Sequence, residues 1–272
     1  MLADVPDITA ATDKRKCKVE HNNEHVIETK GAPVFAKARQ LYAGKAKIVK
    51  DAFKSMLTEG LCRPSKSSWA SPIHIVPRKA CGELRVVGDY CQLNAITTPD
   101  RYPILNILDF NINLNGAKIF TKIDIFRAYY QIPVAESDIH KTAMITPFGL
   151  FEFPVMLFSL WNSRQTFQRF MDWLMCDPDF VYCYLSNILI ALESKEMHTT
   201  HVRLVLERLY NAGLMINASM CEYTKTKMPF LGYVIDSKGI WPASDRVQPM
   251  LDYGKLVTIK ELHRFLGLIN LY

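Results

Sequence analysis

Apolar residues recur every three or four positions over 44–59, where Val49, Phe53 and Leu57 stand at i, i+4 and i+8. That spacing predicts an amphipathic helix with Gly60 as its stop. Further on, Asn162 precedes the stripe Phe167, Phe170, Met171 and Leu174, which predicts a second helix capped by Asn162. A third is predicted over 195–212, with Val202, Val205, Leu206 and Leu209 on one face and Gly213 ending it. Thr258-Ile-Lys-Glu261 is a capping box opening a fourth helix, still running at Tyr272. A helix cut at the last residue predicts that the chain is a piece of something longer.

Other stretches are β-prone. Ile73–Val76 and Leu84–Val87 are runs joined by RKACGE, a hairpin turn. Thr142–Thr146 and Leu150–Pro154 flank Pro147-Phe-Gly149 and predict a second hairpin. Ala117–Ile125 alternates and delivers Asp124 to the end of a strand, and Phe230–Ile235 predicts one strand more. The sharpest feature is YCYLSNILIAL at 182–192. Two β-prone apolar runs, Val181–Leu185 and Ile188–Leu192, flank the polar pair Ser186–Asn187. The pattern predicts a tight hairpin with that pair at its tip. Ser and Asn are good turn formers, and Asn tolerates positive φ. Strands and helices therefore alternate irregularly with antiparallel hairpins, an α+β arrangement rather than a doubly wound sheet. Residues 1–30 are polar and aperiodic and read as a tail or linker.

Composition narrows the class. The 272 residues are 49% hydrophobic and 22% charged, ordinary for a globular protein with one large or two modest cores. Phe180–Leu192 is too short for a membrane span and is interrupted by Ser186 and Asn187. The start, MLADVPDITAATDKRK, has no apolar signal core. Seven cysteines, an odd number with no C-x-x-C pair, argue against a disulfide framework and a zinc site. A reducing setting follows, cytoplasmic or nuclear and not secreted, in which the Asn217-Ala-Ser219 sequon goes unused. Of the +6 net charge much sits early: Lys37, Arg39, Lys45, Lys47, Lys50 and Lys54 face only Asp51. That helix is compatible with phosphate contact, and equally with a solvated face.

Asp124 at a strand end and a polar hairpin tip are two halves of a known chemical solution. Phosphoryl transfer by two Mg²⁺ ions needs several carboxylates converging within about 4 Å. Other candidates fade. His198 and His201 share a helix face at i, i+3 but have no third ligand nearby. His21 and His25 lack the glutamate of a zincin motif, and no phosphate-cradling glycine motif exists.

The segments RPSKSSWASPIHIVPRK, LRVVGDYCQLNA, PDRYPI, TKIDIFRAYYQIPV, KTAMITPFGLFEFPVM, NSRQTFQRFMD, YCYLSNILI and FLGYVI occur in a fixed order. Together they closely resemble the reverse transcriptase domain of Ty3/gypsy-class long-terminal-repeat retrotransposons, over roughly residues 33–272. The resemblance implies a right-hand polymerase fold. Residues 1–32 would be a linker or tail, 33–98 and 132–158 fingers, 99–131 and 159–238 palm, and 239–272 a truncated start of thumb or connection. It implies Mg²⁺ as cofactor, dNTP and an RNA or DNA primer–template as ligands, and no membrane. The origin implied is a Gag-Pol-type polyprotein that also carries protease, ribonuclease H and integrase.

Residue by residue, Asp124 matches the first metal-binding carboxylate, and the Ile125 carbonyl would join the same metal. Tyr129 matches the residue under the incoming sugar, placed to clash with a ribose 2′-OH. Arg78, Lys79 and Arg85 match the basic fingertip that grips the triphosphate, where charge-assisted contacts are strong. Phe158 matches the floor of the nucleotide pocket, and Phe230, Leu231, Gly232 and Tyr233 the primer grip.

The chain departs from this family where the chemistry is. The hairpin that carries Tyr-x-Asp-Asp there reads Tyr184-Leu-Ser186-Asn187 here. Three carboxylates would set about −3 against two ions totalling about +4, whereas Asp124 alone leaves about −1. In MLFSLWNS, Leu157, Ser159 and Trp161 stand where the family has proline, glycine and a basic or polar residue. Cys91 replaces an arginine and reads as a small packing residue. The expectation is an impaired polymerase, with a nucleic-acid-binding remnant or a functionless translated fragment as alternatives.

Overall fold

The structure, a computed structural model of the chain, describes residues 8–9, 23–77, 84–104, 114, 116–255 and 258–269. In chain order the elements begin with α1 (Ala43–Thr58), β1 (Arg63–Pro64), β2 (Ser71–Pro77), β3 (Leu84–Gly88) and α2 (Cys91–Ile96). Next come β4 (Ile119–Asp124), β5 (Met144–Thr146), β6 (Gly149–Glu152), α3 (Ser163–Leu174), β7 (Val181–Tyr184), β8 (Asn187–Leu192) and α4 (Lys195–Asn211). The chain closes with β9 (Glu222–Lys225), β10 (Lys227–Phe230), β11 (Tyr233–Asp236), β12 (Gly239–Pro242), α5 (Ser244–Leu251) and α6 (Ile259–Ile269). The α+β expectation holds.

Among the described residues three sheets form, ordered β1-β6-β5-β2-β3, β7-β8-β4-β9 and β10-β11-β12. The second is the centre of the molecule, and it explains the unbroken apolar run of the hairpin. Ile188 and Ile190 of β8 point into the main core, which holds Phe167, Phe170 and Met171 of α3 and Val202, Val205 and Leu206 of α4. Leu189 and Ala191 point the other way, into a second cluster with Phe120, Met228, Phe230 and Ile235. A strand covered on both faces has no polar side to show, so alternation disappears.

The helix boundaries follow local rules. Gly60 adopts φ 73° after α1, and Leu61 N–H closes on the Met56 carbonyl at 2.9 Å. The capping box forms both its bonds: Glu261 N–H to Thr258 Oγ1 at 3.2 Å, and Thr258 N–H to Glu261 Oε2 at 3.0 Å. Asn162 occupies the N-cap position of α3 but does not cap. Its carboxamide instead accepts from Asp100 N–H at 3.0 Å and donates to the Thr98 carbonyl at 2.8 Å, tying down the loop before the central sheet.

Two further expectations need correction. Phe230–Ile235 is not one strand, because Leu231 and Gly232 turn at φ 50° and 80° and join β10 to β11 with Phe230 opposite Tyr233. Positive φ at both central residues is the twist a two-residue hairpin favours. Residues 23–32, expected as linker, instead lie as an extended strap. His25 N–H bonds the Pro133 carbonyl at 2.8 Å, Ala135 N–H bonds the His25 carbonyl at 3.0 Å, and Lys30 N–H bonds the Ile96 carbonyl at 3.0 Å. Ile27 is buried, and Ile8 packs in the main core. Aperiodic polar sequence gave no sign of it, because backbone groups make most of these bonds.

Candidate active site

The central hairpin sets the site. Tyr184 pairs with Asn187, which leaves Leu185 and Ser186 as a two-residue turn. The tip therefore lies one residue earlier than the sequence predicted. Asn187 is the first residue of β8, flanked by Tyr184 on one side and Asp124 of β4 on the other. The register explains the difference: six consecutive pairs, Ile119↔Leu192 through Asp124↔Asn187, hold β4 on β8 and recruit Asn187 into the ladder. Leu185, not Asn187, carries the positive φ, at 52°. Turns with positive φ only at the first central residue favour glycine there. Leu185→Gly should therefore raise stability by about 1 kcal/mol, because relief of strain of 1–3 kcal/mol exceeds the entropic cost of glycine. A melting curve checks this, with a Tm rise of about 2–4 °C expected.

Asp124 is half-buried at the end of β4. Its N–H reaches Cys221 Sγ at 3.4 Å, and its carbonyl accepts from Asn217 N–H at 2.8 Å. Ile125 N–H donates to the Ser186 carbonyl at 2.9 Å, so the strand end and the turn are locked together. Burial pushes the Asp124 carboxyl above the usual carboxylate range, opposed by the Lys122 ammonium. Lys122 is shared with Glu222 at 3.5 Å. Asn187 Nδ2 lies 3.4 Å from Ser186 Oγ. Asp124, Ser186 and Asn187 are thus brought together, and they present one carboxylate, one hydroxyl and one carboxamide.

The residues expected around a nucleotide are partly gathered. Tyr129 follows Asp124 on a 3₁₀ turn, Ala128–Gln131, with its ring 5.6 Å from that of Phe167. Phe158 is exposed, and the Arg85 guanidinium stacks on it 4.6 Å from the ring centre. Phe158 lines, with Val86, Gly88, Met144, Leu157 and Ser159, a space of about 10 Å³. That is room for no more than about one water. Arg78 and Lys79 lie outside the described residues. Phe230, Leu231, Gly232 and Tyr233 form the β10–β11 turn. Leu231, Tyr233 and the hairpin's Tyr184 pack against one cluster, which couples the two turns.

Sequence reasoning missed several residues that shape this region. The Asn94 carboxamide clamps the 159–161 loop, donating to the Ser159 carbonyl and accepting from Trp161 N–H, both at 3.0 Å. Trp161 itself stays exposed. Arg164 donates to Tyr184 Oη at 3.2 Å, and Gln168 bonds the hairpin backbone directly. None of these has a local signal, since each partner is distant in sequence.

A family model described as reverse transcriptase (RNA-dependent DNA polymerase) matches residues 76–235. The chain belongs to the reverse transcriptase family. The Transposon Tf2-7 and Tf2-3 polyproteins of Schizosaccharomyces pombe (strain 972 / ATCC 24843) are each 35% identical over 97% of this chain. These relatives bear out the resemblance to Ty3/gypsy-class elements. The chain spans about 20% of the length of each. Among solved structures, a foamy viral protease-reverse transcriptase in complex with dsDNA superimposes with TM-score 0.86 at 21% identity, covering 99% of this chain and 57% of that one. The same protein in complex with an RNA/DNA hybrid gives TM-score 0.83 at 19% identity, over 99% and 36%. The fold is that of a reverse transcriptase polymerase domain.

Reverse transcriptases generally use divalent metal. The donor set here does not fit a pair of Mg²⁺ ions. Hard Mg²⁺ is held by anionic oxygen, and around Asp124 the hairpin supplies only dipoles. Among the described residues, no three His, Cys, Asp or Glu side chains group closely enough to hold a metal ion. Nor, among them, is any helix long and apolar enough to cross a membrane.

Proposed function

We propose that this chain is a retrotransposon reverse transcriptase domain whose nucleotidyl transfer is disabled at the central hairpin. One observation carries the reading. Across the β4–β8 ladder Asp124 faces the Asn187 carboxamide, with the Ser186 turn beside them, so one carboxylate stands where metal-assisted transfer needs several. In this reading residues 33–98 and 132–158 are fingers, 99–131 and 159–238 palm, and 239–272 the start of a thumb. Arg78, Lys79 and Arg85 grip the triphosphate of a dNTP, Phe158 floors its pocket, and Tyr129 lies under the sugar and disfavours ribose. Ile125 flanks the metal position, and Phe230–Tyr233 hold the primer end of an RNA or DNA duplex. The foamy viral complexes with dsDNA and with an RNA/DNA hybrid support a partner of that kind. The purified chain, given a primed RNA template, dNTPs and Mg²⁺, is expected to extend no primer above background. Extension at an ordinary polymerase rate overturns the proposal.

A second reading, a nucleic-acid clamp without chemistry, draws on α1. Lys45, Lys47, Lys50 and Lys54 are exposed there, and none has an ion-pair partner among the described residues. Affinity for primer–template that falls steeply with salt and ignores EDTA supports the clamp. Affinity absent at low salt sinks it.

A further inference from the structure

The motif NSRQTFQRFMD places Gln168 and Asp172 four residues apart on α3, hence on one helix face. Gln168 is fully buried. Its Nε2 donates to the Cys183 carbonyl at 2.8 Å, and its Oε1 accepts from Leu185 N–H at 2.8 Å. Strand β7 is the edge of the central sheet, so the Cys183 carbonyl has no strand to pair with on that side, and Leu185 N–H lies in the turn just beyond the strand's end. One carboxamide that takes the carbonyl of residue i and the N–H of residue i+2 does what a residue of a parallel neighbouring strand would do. It stands opposite Tyr184, the first residue of the Tyr184-Leu-Ser-Asn187 turn.

The orientation of that carboxamide is set from outside. Gln168 Nε2 also donates to Asp172 Oδ1 at 2.8 Å, and Asp172 Oδ2 accepts from Tyr102 Oη–H at 2.7 Å. A flipped amide would set its oxygen against a carboxylate and a carbonyl at once. Burial and the Asp172 hydrogen bond push the Tyr102 phenol up to about 12, so it remains a donor at every physiological pH. Leu185, whose N–H the relay pins, is the residue held at φ 52°. Its neighbour Ser186 offers the carbonyl that Ile125 N–H takes beside Asp124.

We propose that Gln168, oriented by Asp172 and Tyr102, is a positioning residue that holds the strained turn in register with Asp124. The positioning can be read without activity, while its consequence for catalysis rests on the function proposed above. In the unaltered background, Gln168→Leu is expected to speed amide hydrogen exchange at Leu185 by about 10–100-fold, the worth of one or two lost hydrogen bonds. Exchange at Ile188, Leu189 and Ile190 should move far less. Tyr102→Phe, at the half-buried end of the relay, should give a smaller local rise of about 3–10-fold and keeps the test available where the core variant does not fold. Uniform acceleration of all hairpin amides, or none at Leu185, overturns the proposal.

The link to catalysis is read in a Ser186→Asp, Asn187→Asp background. There, Gln168→Leu should lower kcat by about tenfold or more with little change in KM for dNTP, the pattern of lost geometry rather than lost binding. An unchanged kcat overturns it. Should that background itself show no extension, the failure belongs to the proposed function, and the exchange result still decides the role of Gln168.

Discussion

A chain carrying Ser186→Asp together with Asn187→Asp is expected to extend a primer on an RNA template at least ~10³-fold faster than the unaltered chain. The backbone that such a site needs is already in place. Asn187 sits directly opposite Asp124 in an unbroken ladder, and Ile125 is bonded to the turn at 2.9 Å. Asn to Asp keeps the side-chain shape, and Ser186 is half-exposed at a turn, where a longer side chain finds room. What is missing is charge. Restoring about −3 near the strand end supplies the anionic oxygens that Mg²⁺ requires and that stabilise a phosphoryl-transfer transition state through the ions they hold.

The same substitution carries a cost that can be measured without activity. Three carboxylates at one strand end repel, and the nearby ammonium, Lys122, is already shared with Glu222. The double variant should therefore melt below the unaltered chain in EDTA and gain Tm on addition of Mg²⁺, while the unaltered chain stays flat. A variant that gains neither extension nor a Mg²⁺-dependent Tm would show that the fault does not lie in the hairpin. Blame would then move to the 157–161 loop, where Ser159 and Trp161 are held by Asn94.

Much of this architecture was legible because its signals are local or periodic. Gly60, the Thr258–Glu261 box and the stripe of α3 each announce an element within one or two turns of chain. A hairpin beside the strand that ends at Asp124 was legible, with its tip one residue off, because strand pairing in register brings a strand end and a turn together. The failures share a different cause. The β9 stretch EYTK and the β12 stretch GIWP show little burial, so no apolar period marks them. The 3₁₀ runs Ala128–Gln131 and Glu136–Thr142 have neither helical nor strand period. Gln168, Asn94 and Asn162 were opaque because a carboxamide's job is set by which backbone it meets. Asn162 shows the hazard: it has the right residue type at the right position for a cap, yet long-range partners 62 and 64 residues away claim its side chain.

The strap at 23–32 leads to a large effect of pH on stability. His25 is about 1% exposed, and its Nδ1 lies 2.9 Å from Thr166 Oγ1 on α3. Burial lowers its pKa from 6.5 to about 4, against the pull of Asp138 and Asp100, which both favour the cation. The folded chain therefore keeps His25 neutral where the unfolded chain protonates it. Between pH 6.5 and about 4 the unfolded state holds the extra proton, so stability falls as pH drops through that window. The full difference is worth about 3 kcal/mol at 1.36 kcal/mol per pKa unit, a third or more of the stability of many domains. His198, buried on α4 with Nε2 2.7 Å from Thr121 Oγ1, is lowered by burial as well and acts with the same sign. Glu59 and Glu152, whose pKa values are lowered by hydrogen bonds and by Arg127 and Arg63 against the opposing effect of burial, lose their contribution only below the usual carboxylate range. Urea unfolding at pH 7, 6, 5 and 4 separates these groups. The unaltered chain should lose several kcal/mol over that range, and His25→Gln, which cannot titrate, should remove about 3 kcal/mol of the dependence whatever it does to stability at pH 7. Equal pH slopes for the two chains would mean that His25 meets water, and that the strap does not close over it.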